Sequence, residues 1–323
     1  MKKVTVIGGG TGSFVVLSEL KEHDVDLAAI VTMMDSGGST GRLRDQLGVL
    51  PPGDLRQCLV ALSSAPELWR KLFLYRFENG DLQGHNFGNI FISALEKVCD
   101  DYDTVIDTAS YVLATKGKVI PVTYGKTHLC VEYESGQIIK GEGNIDENNS
   151  ERTRIKRAFL EPIVDVNLRA VERIDESDFI IIGPGDLYTS IIPVLLVDDI
   201  AGRIKKSKAK IIYNLNLMTK AGQTSNYMAS DFINDLDRYI GRKPDYVIAN
   251  NGSISSSIID WYEDHDEKTV ENNLRSDSFE GTIIEGDVIN RTQIEKNLSD
   301  KLTRSVLRHD PIKTSKLLLE IIS

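Results

Sequence analysis

Short apolar runs rich in β-branched residues punctuate the chain at residues 3–7, 27–32, 179–182, 210–214 and 246–250. Each is nearly continuous rather than alternating, the pattern of a parallel strand covered on both faces. Most end at a small or polar residue and lead into a helical spacing. Those spacings fall at 13–21, 53–64, 67–77, 89–99, 103–114, 198–206 and 227–240. Strand, loop and helix in alternation require right-handed crossovers, which predicts an α/β fold: a Rossmann-like three-layer αβα sandwich with a mostly parallel sheet. A closing helix is expected at 311–322, its start marked by Asp310 before Pro311.

The stretch 118–144 reads differently. Residues 127–133 and 137–143 flank Glu134-Ser135-Gly136, a turn signal, and predict a hairpin. The charged segment 146–157 then reads as a solvated loop and helix start. No linker composition and no repeat period interrupts the chain. The expectation is one Rossmann-like domain over 1–323, with a small antiparallel β excursion at 117–157.

Composition narrows the function. Of 323 residues, 41% are hydrophobic and 27% charged, the balance of a globular chain with a sizeable core. The net charge of -10 argues against a nucleic-acid partner, which calls for a basic face, yet leaves room for a local basic pocket. Cys58, Cys99 and Cys130 lie far apart, without zinc or disulfide spacing, and read as buried apolar thiols in a reducing compartment. The N-terminal apolar run breaks into glycine too early for a signal peptide. The strongest apolar stretch, 191–197, contains Pro193 and falls short of the roughly 20 residues that span a bilayer. No membrane insertion and a cytoplasmic location are therefore expected.

The chemistry is concentrated at strand ends. Gly8-Gly9-Gly10-Thr11-Gly12-Ser13 follows the first strand and opens a helix, so its glycines can turn sharply and its amides can meet a phosphate. Ser13 replaces the last glycine of the dinucleotide fingerprint, and no P-loop spacing occurs. After the second strand comes Asp35-Ser36-Gly37-Gly38-Ser39-Thr40-Gly41-Arg42-Leu43-Arg44. Asp35 can hold a ribose hydroxyl, or act as a metal or acid–base carboxylate. The glycines with Arg42 or Arg44 resemble an anion cradle. Asp54 in Pro51-Pro52-Gly53-Asp54-Leu55-Arg56 reads as a helix cap, with Arg56 a further positive contact or its partner. Asn86 and Asn89 in Gly84-His85-Asn86-Phe87-Gly88-Asn89 can read the polar edge of a base or sugar. Gly185 and Asp186, within Gly183-Pro184-Gly185-Asp186-Leu187-Tyr188-Thr189-Ser190, lie at the same carboxyl edge of the sheet, where open α/β sheets bind ligands. Asn214, Asn216, Asn250 and Asn251 end two further strands and are expected to line that crevice. Five dispersed histidines give no metal cluster.

Taken together, VIGGGTGSF, DSGGSTGRLR, PPGDLR, GHNFGN, GPGDLYTSIIPVLL and NLMTKAGQTSNY resemble the bacterial gluconeogenesis factor family, related to 2-phospho-L-lactate transferase. The motifs run in order across nearly the whole chain. The resemblance implies a Rossmann-like fold and one of two activities. Transferase relatives move a phospholactyl group from a nucleotide carrier onto a flavin-like alcohol with metal help. Gluconeogenesis-factor relatives bind nucleotide sugars such as UDP-N-acetylglucosamine and serve cell shape and envelope synthesis during gluconeogenic growth. GHNFGN and GRLR match the second branch. Ser36 departs from the transferase pattern, standing where many relatives carry an acid or amide, so paired carboxylates for Mg²⁺ lack one ligand there.

Three expectations follow. In the first, a nucleotide-sugar ligand has its pyrophosphate held by 9–12 and 37–42, its base or sugar read by Asn86 and Asn89, and a hydroxyl held by Asp35. In the second, a transferase uses Asp35 and Asp186 as catalytic candidates that bind Mg²⁺ or activate an acceptor hydroxyl. The third, a dinucleotide-dependent oxidoreductase, explains the first loop but has no residues for hydride chemistry. Self-association, turnover and the acceptor are left open by the sequence.

Overall fold

A computed structural model describes the chain except residues 149, 152, 278 and 292–305. Among the described residues the strands are β1 (Lys2–Gly8), β2 (Val25–Val31), β3 (Lys118–Pro121), β4 (His128–Tyr133), β5 (Ile138–Lys140), β6 (Ile155–Glu161), β7 (Phe179–Ile182), β8 (Lys210–Asn214), β9 (Tyr246–Asn250) and β10 (Thr282–Gly286). The first helices are α1 (Gly10–Leu20), α2 (Gly38–Leu47), α3 (Gly53–Leu62), α4 (Glu67–Leu74), α5 (Phe87–Val98) and α6 (Tyr102–Leu113). They are followed by α7 (Glu142–Asp146), α8 (Leu168–Glu176), α9 (Ile192–Leu195), α10 (Ile200–Lys206), α11 (Ala229–Ile240), α12 (Ser256–Glu263) and α13 (Pro311–Ile322). A wide helical turn, Leu187–Ile191, leads into α9.

Seven strands form one sheet in the order β10-β9-β8-β7-β1-β2-β3, and every pairing in it is parallel. In its middle Val4, Val6, Ile7, Ala28, Ile30, Ile180, Ile181, Ile211 and Ile212 are fully buried. Burying a side chain of this size contributes about 1.5–3 kcal/mol. Helix α1 packs between α3 and α13 on one face, while α10 packs between α8 and α11 on the other. The result is the expected Rossmann-like αβα sandwich.

A second, antiparallel sheet has the order β5-β4-β6. The hairpin expected at 127–143 is its β4–β5 pair, but the third strand, β6, falls partly on the segment read as a charged loop. Its outward Lys156 and Arg157 explain that reading: both pair with Glu132 across the ladder, at 2.8 and 2.6 Å. Residues 149 and 152 of that segment lie outside the described residues. Residues 118–121, expected in the excursion, instead form the edge strand β3 of the main sheet beside β2. The small sheet is pinned to the main body. Tyr133 Oη donates to Gly222 O at 2.8 Å, the Ala158 N–H to Tyr239 Oη at 2.8 Å, and Arg154 pairs with Asp231 at 2.7 Å.

Candidate functional site

At the carboxyl ends of β1, β2, β7 and β8 lies a cavity of about 270 Å³. The first turns of three helices border it: Gly10, Thr11 and Gly12 of α1, Ser39 and Thr40 of α2, and Gly53 and Asp54 of α3. Such turns carry backbone N–H groups and the positive end of a helix dipole.

The first glycine loop is shaped by the protein's own close packing. A Cβ on Gly12 would lie 1.7 Å from Pro184 O, and one on Gly10 would lie 2.6 Å from Gln57 Cβ. Gly9 packs against Ser190 and does not border the cavity. Asp54, expected to cap its own helix, instead accepts the Gly10 N–H at 2.8 Å, while Pro52 takes the capping position of α3. One amide that the sequence offers to phosphate is thus already engaged by a carboxylate.

The second loop divides. Asp35, Gly37, Ser39 and Thr40 border the cavity; Gly38, Gly41 and Arg42 do not. Asp35 turns one oxygen to the Gly37 N–H at 3.0 Å and presses the other against Gly53, where a Cβ would sit 2.2 Å away. Arg42 is exposed and donates to Gln83 O at 3.0 Å, so the predicted guanidinium contact to phosphate is corrected. Arg44 is turned to the His128 ring, at 2.6 Å from Nδ1. The arginines that do reach the cavity are Arg56, Arg76 and Arg308. Arg56 is only 5% exposed; its Nε donates to Asn89 Oδ1 at 2.8 Å and its Nη1 to Phe73 O at 3.2 Å.

Asn89 orients this corner. Its amide nitrogen lies 3.4 Å from both the Ser39 and Thr40 hydroxyls while its oxygen holds Arg56. Asn86 has a different role: it caps α5 by accepting the Asn89 N–H at 3.1 Å and does not border the cavity. Ser39 Oγ accepts the Asn86 N–H and lies 3.2 Å from His85 Nδ1. Burial, then Arg42 and Arg76, hold the His85 pKa below the ordinary imidazole value.

Gly185, Asp186, Thr189 and Ser190 border the cavity as expected. Burial pushes the Asp186 pKa up to about 6, against the pull of Lys220 and with added repulsion from Asp146 and Glu267. Lys220 Nζ lies 3.5 Å from Asp146 and 4.0 Å from Glu267. Burial disfavours its ammonium, but these carboxylates and Asp186 outweigh that and raise its pKa. Asn216 borders the cavity and donates to Gly185 O at 2.8 Å. Asn214, Asn250 and Asn251, expected beside it, do not. Asn214 Nδ2 holds Gly183 O at 3.1 Å, and Asn250 closes a turn on Gly252 at 2.8 Å.

Glu142, on α7 of the small sheet's connection, was invisible as a site residue in the sequence. Its carboxylate accepts the Ser36 N–H at 3.1 Å, and the Gly143 N–H donates to Ser36 Oγ at 2.9 Å. Burial first, then the charge of Asp35, pushes its pKa well above the usual carboxylate range. A second acid therefore does stand near Asp35, supplied from 106 residues beyond position 36 rather than by position 36 itself. Even so, among the described residues no group of three or more His, Cys, Asp or Glu side chains is arranged to hold a metal ion.

The sequence profile of the family 2-phospho-L-lactate transferase CofD matches residues 4–289. The chain is 39% identical over 323 residues to the gluconeogenesis factor of Bacillus subtilis, covering 99% of this chain and 98% of that one. It is 38% identical to the gluconeogenesis factor of Halalkalibacterium halodurans, with 98% and 99% covered. A crystal structure of a Bacillus halodurans protein superposes with a TM-score of 0.89 at 36% identity, over 98% of this chain and 99% of that one. No described helix is long and apolar enough to cross a membrane.

Proposed function

The chain belongs to the 2-phospho-L-lactate transferase CofD family, and from that premise we propose that it binds a nucleotide-linked sugar of the UDP-N-acetylglucosamine type in the strand-end cavity. Its role on this reading is in cell shape and envelope synthesis during gluconeogenic growth, in a cytoplasmic setting. The observation that carries the binding claim is the convergence of three helix N-terminal turns, with buried Arg56, on one cavity. Backbone N–H groups and a fixed guanidinium suit a pyrophosphate. Gly10–Gly12, Gly37 and Ser39 remain ligand residues in this proposal, joined by Thr40, Arg56 and Arg76 in place of Arg42. Asp35, Asn89, Gly185 and Asp186 shape the polar wall. Calorimetric titration with UDP-sugars, GDP, GTP and NAD, each with and without Mg²⁺, tests it. Tight UDP-sugar binding that ignores Mg²⁺, without turnover, supports the reading. Nucleotide release that requires Mg²⁺ and a hydroxyl acceptor contradicts it.

Group transfer is the second reading. It is favoured by Asp186, whose pKa of about 6 suits a base that takes a proton from an acceptor hydroxyl. On this reading the deprotonated acceptor oxygen attacks the carrier's phosphorus, the bond to the nucleotide breaks so that the nucleotide leaves, and Asp186 keeps the proton.

A further inference from the structure

Three backbone N–H groups beside the cavity are held by acid side chains. Asp54 accepts the Gly10 N–H at 2.8 Å, Asp35 the Gly37 N–H at 3.0 Å and Glu142 the Ser36 N–H at 3.1 Å. All three acids border the cavity. Asp35 and Asp54 belong to the strand-end loops and the helix starts themselves. Glu142 does not: it comes from α7, in the connection between β5 and β6. That short helix bridges two sides of the cavity. At its start the Gly143 N–H donates to Ser36 Oγ at 2.9 Å, and a Cβ on Gly143 would lie 3.4 Å from Gly37 Cα. At its end Asp146 lies 3.5 Å from Lys220 Nζ and also borders the cavity.

Size and charge both set this contact against a nucleotide-linked ligand. The cavity of about 270 Å³ is smaller than the roughly 300–1,000 Å³ of pockets that enclose a ligand of drug size, and a nucleotide sugar is a large one. A phosphate at the start of α2 would also meet Glu142 beside Asp35, and like charges so placed repel. The start of α7 is built to yield. Gly141 has a φ of 96°, which glycine adopts readily, and its N–H is tied to Leu129 O of β4 at 2.8 Å. Ile145 is fully buried. Residues 142–144 thus lie between two fixed points and can lift without moving either. Resting on the nucleotide-sugar reading, we propose that the first turn of α7 is a displaceable strap: Glu142 holds the second loop, and the ligand's phosphate competes with it there and drives the turn outward. Apparent affinity is then reduced by the fraction of molecules whose strap is closed.

Hydrogen exchange of the wild-type protein, with and without UDP-N-acetylglucosamine, reads the strap directly. When the turn lifts, the Gly143 N–H loses its Ser36 acceptor. Exchange across residues 142–147 is therefore expected to quicken on binding, while the first turns of α1 and α2 slow. A turn that merely walls the ligand would slow with them. Calorimetry on Glu142→Ala gives the second readout, with the melting temperature of the variant as the control for folding. Removing the strap's hold is expected to tighten UDP-N-acetylglucosamine binding about tenfold. Unchanged or slower exchange at α7 in the liganded wild type overturns the inference and leaves the nucleotide reading intact. Binding by folded Glu142→Ala that weakens, or stays within about twofold of wild type, does the same. If Glu142→Ala does not fold, the wild-type exchange decides. Wild-type protein that binds no UDP-N-acetylglucosamine overturns the nucleotide reading, and the strap with it.

Discussion

At the scale of single residues, the site differs from its sequence outline mainly in which charged side chains point inward. Arg42 and Arg56 look interchangeable in a glycine-rich sequence, but helix geometry turns one to solvent and buries the other. Arg42→Ala should change UDP-sugar affinity by less than about twofold, whereas Arg56→Lys should weaken it by about tenfold, since lysine lacks the guanidinium fork. Calorimetry on both variants checks the contrast. Asp186 permits a second test. Its folded pKa of about 6 lies above the ordinary 3.8, so the folded state holds this proton more tightly than the unfolded chain. The resulting stability is fully present below about 3.8 and is lost as pH rises through about 6. Asp186→Asn removes that loss, so the melting temperature of the variant relative to wild type should rise between about pH 4 and pH 6.5. A constant difference across that range would mean that Asp186 is ionised throughout. Asp35, Asp186 and Asn89 were legible as strand-end or helix-start polar residues. Glu142, Lys220 and His309 were not, because each reaches the cavity from a distant segment that has no local signature.

Elements with an unbroken apolar run were the legible ones: β7, β8, β9 and α13 fall where the pattern puts them. Helix α2 was read as a loop because glycine, serine and threonine are weak helix formers. Packing imposes it: Ser39, Thr40, Gly41 and Leu43 are buried, and a Cβ on Gly41 would lie 2.1 Å from Ser36 O. Edge strand β10 was missed because it is only half-buried, with Glu285 facing outward to Arg275 at 3.0 Å. The glycines of the first loop now have a mechanical explanation as well as a ligand-related one. Gly12→Ala should therefore lower the melting temperature of the unliganded protein, by a cost of about 1–3 kcal/mol or more. Unchanged stability with lost binding would instead mean that Gly12 serves the ligand alone. Ser36→Ala removes the acceptor of the Gly143 N–H, so hydrogen exchange at α7 should quicken.

For the whole molecule, an acidic chain is proposed to hold an anion, and its cavity sharpens that tension. Asp35, Asp54, Glu142, Asp146, Asp186 and Glu267 border it against Arg56, Arg76, Arg308 and Lys220. Protonating Glu142 and Asp186, both with raised pKa values, relieves the repulsion. A pyrophosphate diester stays charged in this range, so UDP-sugar affinity should rise severalfold as pH falls from about 7.5 to about 5.5. Affinity that falls instead would place the phosphates away from these acids. The central claim is that one ligand occupies the strand-end cavity with its phosphates toward Arg56 and the α2 N-terminus. A crystal structure of the protein with UDP-N-acetylglucosamine tests it most directly. Pyrophosphate oxygens within hydrogen-bond reach of Arg56 and the Ser39–Thr40 turn are the expected result. A ligand bound outside this cavity, or reversed within it, would contradict the account.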